Sequence, residues 1–467
     1  MATSDLGVRA WARREFAGAD LRDKRRTRRL VKVAAAIAAK PVGTLPPAFD
    51  GWADLKAAYR LLERQDVTFE KISAPHWHNT RQACGRPGQY LMIEDTTSLD
   101  FSRRGPLEGL GPIGDGRGRG LYLHSTLALR IEGWTASHEP TVTVVGLLGQ
   151  HCWVRPPEPK HGRETRCQRL QRRRESERWA QVFEALDPAR PDVQWIYVAD
   201  RESDIYEVLQ RCTRRSVDYV VRANQPRALV GESGSVFEAV SRAKPLGRYE
   251  LRLRARPGVA ARTAVVELRA TRVTLRPTWR PGGPGEPQAV NVVEAKEIDA
   301  PAGVEPIRWV LLTNLAVGTF ADARRVVALY ATRWLIEDYH KALKTGVGAE
   351  RTELATGDRI ERLLGVLAIV AVRLLQMKFA ATARPDEPVD PAVFGPEALA
   401  VLGARDGVPE GGWTNRAVTV AVARLGGYLA RRSDGPPGWL TIWRGWQQLA
   451  LMLHGYLLAQ GETEKCG

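Results

Sequence analysis

Tyr330-Ala-Thr-Arg-Trp-Leu-Ile-Glu-Asp-Tyr-His-Lys-Ala-Leu-Lys344 is the most informative segment of this chain. Read as a helix at about 100° per residue, it places Tyr330, Arg333, Glu337 and Lys344 within about 60° of one another. Leu335, Ile336 and Leu343 fall on the opposite, core-facing side. The polar face then carries an acid, two cations and a phenol along about 20 Å. Taken alone, it could be a solvated face with an Arg333–Glu337 pair worth about 0.3 kcal/mol. Two further acids argue for more.

Gln89-Tyr-Leu-Met-Ile-Glu-Asp95 and Val193-Gln-Trp-Ile-Tyr-Val-Ala-Asp200 both read as buried strands ending in a carboxylate. Acids at the ends of neighbouring strands can converge with one from an adjacent helix, so Asp95, Asp200 and Glu337 form a candidate metal site. An all-oxygen donor set points to Mg²⁺, with Mn²⁺ as a substitute, and away from zinc. Two such ions about 4 Å apart suit displacement at a phosphodiester. Paired carboxylates alone would also suit glycoside hydrolysis, but that leaves the cations unexplained.

The cations are a property of the whole chain. Its 467 residues hold 69 Lys and Arg against 53 Asp and Glu, a formal charge of +16. Such an excess favours a polyanion, and nucleic acid is the first candidate. The five cysteines show no Cys-x-x-Cys spacing, so neither a zinc ribbon nor a disulfide framework is expected. The eight histidines show no ligand spacing, and His340 reads as a surface residue. No apolar leader opens the sequence, and the apolar run from Leu363 to Met377 is too short to span a bilayer and contains Arg373. A cytoplasmic location without membrane attachment is expected.

Around this centre the chain divides into three. Residues 1–70 read as a basic helical module with the run Arg22-Asp-Lys-Arg-Arg-Thr-Arg-Arg29, followed by a short helix from Trp52 to Leu62. Its candidate DNA contacts are Arg25, Arg26 and Arg28. Residues 71–379 alternate strands and helices, an α/β domain with a mixed sheet flanked by helices, interrupted by a β-rich insertion at about 228–306. An Arg-rich helix is expected over 163–186, and a buried helix over 358–379 with Asp358 at its cap. Residues 380–412 look loose, and two helices close the chain. In the last, Trp439, Trp443, Trp446, Ala450, Leu453 and Leu457 form a stripe that suits its own domain or a subunit interface equally.

At these residues the sequence resembles the bacterial DDE cut-and-paste transposases of the insertion-sequence-four type, the group that includes the transposon-five transposase. The resemblance rests on Ile93-Glu-Asp-Thr-Thr-Ser-Leu, Ala199-Asp-Arg-Glu-Ser-Asp-Ile and the spacing Tyr330-x2-Arg333-x3-Glu337-x6-Lys344. Weaker similarity runs through Asp23-Lys-Arg-Arg-Thr-Arg-Arg-Leu, Trp309-Val-Leu-Leu-Thr and Ala423-Arg-Leu-Gly-Gly. The resemblance implies an RNase H-like core with Asp95, Asp200 and Glu337 as ligands of two Mg²⁺ ions. It also implies an N-terminal DNA-binding domain and a C-terminal domain, 380–467, that pairs two copies on double-stranded DNA. Tyr330, Arg333 and Lys344 would grip a phosphate beside a flipped nucleotide, Trp309 would receive the base, and Arg222 would contact the DNA backbone. A domesticated or inactive DNA-binding relative is the alternative; all three acids are present.

Overall fold

The computed structural model describes residues 3–40, 43–105, 107–156, 178–186, 190–253, 261–280, 283–389, 394–431 and 434–460. Most of the expected 163–186 helix, including Arg172, Arg173 and Arg174, lies outside them. The described end of it, Gln181–Ala185, is a 3₁₀ turn, entered through Ala180 at φ 63°.

The organising element is a ten-stranded mixed sheet. Strand β1 (Gly88–Asp100) is flanked by β3 (Gly118–Trp134), antiparallel, and by β5 (Val193–Ala199), parallel. The short β2 (Gly111–Ile113) and the long β4 (Pro140–Trp153) both pair with β3. On the other side β6 (Asp218–Arg222) runs parallel to β5, after a crossover through α5 (Tyr206–Arg214). Central strands of this kind are buried on both faces, which is why Leu91–Ile93 and Tyr197–Ala199 are continuously apolar.

The segment expected as a β-rich insertion adds its strands to one end of the central sheet. Strands β7 (Pro245–Leu253), β8 (Arg262–Leu275) and β11 (Gln288–Ile298) continue the same sheet through β12 (Arg308–Thr313), in the order β6-β12-β11-β8-β7. A two-strand hairpin, β9 (Trp279–Arg280) with β10 (Gly283–Pro284), stands apart. Strand β1 also differs from expectation. Asp95 is not its end, because pairing with β3 continues to Asp100↔Gly120.

One face of the sheet packs against the N-terminal helices α1 (Thr3–Phe16), α2 (Lys24–Ala39), α3 (Trp52–Leu62) and α4 (Phe69–Cys84), in a single core that also includes residues of the 320–375 helices. The basic module therefore shares its core with the sheet. The opposite face is covered by α5, α6 (Val236–Arg242), Trp179 and Phe183.

The segment quoted at the outset is not one straight helix. It runs from the end of α7 (Phe320–Ala331) through α8 (Trp334–Lys341) into a wide π turn, Ala342–Gly346. The break has a local cause. The Thr332 hydroxyl donates back to the Leu329 carbonyl at 2.6 Å, and Arg333, Leu335 and Ile336 make tight i→i+3 backbone bonds. Helix α9 (Gly357–Ala383) follows; its cap is Thr356, bonding the Arg359 N–H, and Asp358 sits in the first turn. This helix is long and apolar enough to cross a membrane, but most of it is buried here. Arg362 of α9 donates to the carbonyls of Leu62 and Val67, tying the N-terminal helices to it.

Three helices, not two, close the described chain: α10 (Pro396–Asp406), α11 (Asn415–Leu425) and α12 (Trp439–Ala459). Gly426 and Gly445 let α11 and α12 touch, since a methyl at either would collide with the other helix's backbone. Trp443 and Trp446 are buried within their own chain, while Leu440, Leu451, Met452 and Leu458 of α12 are exposed.

Glu361 of α9 is pushed up to about 7, chiefly by burial and then by the neighbouring Glu70 and Asp358. Below its ordinary value both folded and unfolded chains hold the proton, and the stability it permits is lost as pH rises through about 7. Glu361→Gln should therefore raise the melting temperature at about pH 8, with the gain vanishing near about pH 4. Thermal unfolding of both proteins at the two pH values checks this.

Candidate active site

The parallel pairing of β1 with β5 ends at Glu94↔Ala199. The next residue on each strand is an aspartate, Asp95 and Asp200, so register alone sets the two side by side. Asp95 is anchored by the Thr96 N–H at 2.8 Å, and Asp200 caps the turn Arg201–Ser203 by accepting from the Glu202 N–H at 2.9 Å. Burial raises the Asp95 carboxyl to about 6, and the Asp200 charge adds to that rise. Two carboxylates in mutual repulsion within a partly dry site favour a cation between them.

Helix α8 supplies the third acid and the nearest cation. The Arg333 guanidinium bonds Glu337 Oε1 through Nη2 at 2.5 Å and reaches Asp95 Oδ2 through Nη1 at 3.6 Å. Arg333 thus sits between the two acids. Among the described residues no group of three or more His, Cys, Asp or Glu side chains is arranged to hold a metal ion. The donor chemistry of Asp95 and Asp200 fits two ligands of a hard divalent ion. The full triad does not fit in this arrangement.

His340, expected at the surface, is buried; its Nδ1 lies 4.0 Å from Asp95 Oδ2 and its Nε2 has no hydrogen-bond partner among the described residues. Burial, with Lys344 nearby, drops it to about 3, so it is neutral at ordinary pH. Tyr330 is also buried, with Trp309 against its ring at 5.0 Å in an edge-to-face contact and the Arg333 guanidinium 6.0 Å from its centre. Lys344 lies on the π turn and reaches Glu350 at 3.8 Å. Arg222, at the end of β6, donates to the Arg308 carbonyl at 3.2 Å, next to Trp309. Trp334, absent from the sequence expectations, is exposed beside Arg333, with the Lys341 ammonium 5.0 Å from its ring centre.

The N-terminal cations divide into two kinds. Arg25 and Arg28 are exposed, whereas Arg26 is tied to Asp66 at 2.6 Å and Arg29 to Asp54 at 2.6 Å. Arg26 is therefore as much a structural tie as a candidate DNA contact. On α3 a second exposed stripe, Trp52, Lys56 and Arg60, follows an i, i+4, i+8 spacing.

Beneath Asp95, on the other face of β1, lies a buried network absent from the sequence expectations. Glu94 accepts from the Thr126 hydroxyl, the Ala180 N–H and the Tyr197 hydroxyl, each at 2.9 Å. Tyr197 in turn meets the Ser203 hydroxyl at 2.7 Å, in the turn that Asp200 caps. The network thus braces the two strand ends where the backbone ladder stops.

Residues 8–67 match the family model described as transposase DNA-binding, and residues 170–373 match the one described as transposase DDE domain. The second span includes Asp200 and Glu337 but not Asp95. Together the two matches support a DDE-type transposase family, and the DDE domain supports an enzyme that cleaves DNA and transfers strands. Dependence on a divalent metal follows from the domain. Among solved structures, the cryo-EM piggyBac transposase synaptic complex with hairpin DNA is similar at a TM-score of 0.39 and 8% identity, covering 99% of this chain and 83% of that one. At that level the likeness fixes neither fold nor function.

Replacing Glu94 by Ala leaves three donors without their acceptor in a dry core and should cost about 3 kcal/mol or more of folding stability. Urea unfolding of the variant measures the loss.

Proposed function

We propose that this transposase works by the cut-and-paste route of the insertion-sequence-four type, with an RNase H-like core in which Asp95, Asp200 and Glu337 hold two Mg²⁺ ions, or Mn²⁺ in their place. The observation that carries the proposal is the pair Asp95 and Asp200 at the end of one strand register, facing the helix that bears Arg333 and Glu337. The chemistry such ions supply is activation of the attacking oxygen and stabilisation of the leaving one.

Every other part falls to the chain itself. Water first cuts one strand at the element's end and frees a 3′-OH. That hydroxyl attacks the opposite strand and closes a hairpin, water reopens the hairpin, and the freed 3′-OH attacks target DNA. Closing the hairpin separates stacked bases, so a base must be flipped out and its phosphate held. Arg333 offers a planar fork for that phosphate and Lys344 a second charge. Trp309 offers an aromatic face to the flipped base, and Arg222, close by, contacts the backbone. Tyr330 is buried, which argues for a supporting part behind Trp309 and Arg333 instead of a direct hydroxyl contact with DNA. The buried, neutral His340 adds no charge beside Asp95.

Double-stranded DNA is gripped at the element's ends by the N-terminal helices, with Arg25 and Arg28 foremost and Arg26 behind them. The exposed leucines and methionine of α12 support pairing of two copies in the complex with DNA. The protein acts in the bacterial cytoplasm, at the nucleoid.

The test separates binding from chemistry. Asp95→Ala, Asp200→Ala and Glu337→Ala should each abolish Mg²⁺-dependent strand cleavage while retaining DNA binding. Arg333→Ala and Lys344→Ala should impair hairpin closure on pre-nicked DNA more than the first nick. Near-normal cleavage by any acid variant would remove that residue from the site, and equal loss at both steps would reduce the cations to general DNA holding.

A further inference from the structure

The position of Arg333 conflicts with its proposed work. Its guanidinium bonds Glu337 at 2.5 Å and faces Asp95 at 3.6 Å, and its side chain is only 14% exposed. A cation is thus already present between two of the three acids that would hold the metal, and the described residues offer no three-acid group to an ion. A guanidinium whose two Nη atoms face these acids does not turn that same edge to a DNA phosphate.

We propose that Arg333 is an internal counter-cation that occupies the metal's place in the free protein, and that the three-acid site assembles only when a DNA phosphate draws the guanidinium away. This rests on the proposed metal site. Its ion-pair partners among the described residues are acids, and the Tyr330 ring centre lies 6.0 Å away. The neighbouring i→i+3 turn at Thr332–Ile336 fixes the backbone from which it swings. A phosphate is a stronger bidentate partner for a guanidinium than a single carboxylate oxygen. Moving the fork to DNA leaves Asp95 and Glu337 unpaired beside Asp200, and three unneutralised carboxylates then favour a divalent ion. Cleavage is thereby tied to occupancy of the site by DNA, and the free enzyme keeps little metal.

The two parts of Arg333 predict opposite signs for one substitution. Arg333→Ala lowers hairpin closure, yet it should raise the affinity of the DNA-free chain for Mn²⁺ by about ten-fold, the scale of one partly buried ion pair. Arg333→Gln, which keeps the shape and loses the charge, should do the same and guards against misfolding of the alanine variant. Titration of the full-length protein with Mn²⁺, followed by the electron spin resonance of the free ion, reads the affinity directly. The gain should disappear in Arg333→Ala/Glu337→Gln, and Asp95→Asn should weaken Mn²⁺ binding in every background. If both Arg333 variants bind Mn²⁺ no more tightly than the parent while Asp95→Asn weakens binding, the counter-cation role is wrong and the metal site stands. If neither Asp95→Asn nor Glu337→Gln changes Mn²⁺ binding, the metal site itself falls, and this role with it.

Discussion

The parallel register of β1 on β5 is the constraint on which the candidate site depends. Pairing proceeds residue by residue from Gly88↔Val193 to Glu94↔Ala199 and then stops. A slip of one residue would send one aspartate to the opposite face of the sheet and its charge into an apolar core. Leu91–Ile93 and Tyr197–Ala199 are apolar on both faces, so burial alone does not choose the register; the buried Glu94, with its partners on one face, helps to fix it. The Glu94–Tyr197–Ser203 brace takes over where the ladder ends. It places a buried charge one residue from Asp95, and that charge is kept because the adjacent His124, followed by the Ala180 and Thr126 donors, holds the Glu94 carboxyl down against its burial.

Around that pair the chain is built to manage charge. The protein carries +16 overall, yet many of its arginines are spent on internal ties: Arg26 to Asp66, Arg227 to Asp204, Arg362 to the carbonyls at the end of α3. The net excess therefore overstates the surface free for DNA, and the exposed Arg25, Arg28, Lys56 and Arg60 count for more than the total. At the site itself the same holds, since Arg333 pairs with Glu337 and faces Asp95.

Much of this could be read from the residues. Apolar runs that end or pass through an aspartate gave the central strands, and the i, i+4 spacing of Arg333 and Glu337 gave their ion pair, because both patterns are local. What escaped depends on contacts that sequence spacing does not encode. The break at Thr332 comes from a side-chain hydroxyl choosing a backbone carbonyl, and the π turn shifts Lys344 off the straight helical line. Tyr330 and His340 looked polar and accessible, yet the packing of α7 and α8 on the sheet buries both. Strands β7, β8 and β11 read as an insertion because nothing in their alternation says which edge they join. Trp52 and Trp334 are exposed aromatics, which no apolar periodicity distinguishes from core residues.

The central claim is that strand register builds a divalent metal site at Asp95 and Asp200. Anomalous diffraction from crystals of the full chain bound to element-end DNA and soaked in Mn²⁺ tests it most directly. The account predicts an anomalous peak between the Asp95 and Asp200 carboxylates, on the side facing α8. A peak bound elsewhere, with both aspartates left bare at saturating Mn²⁺, would contradict it.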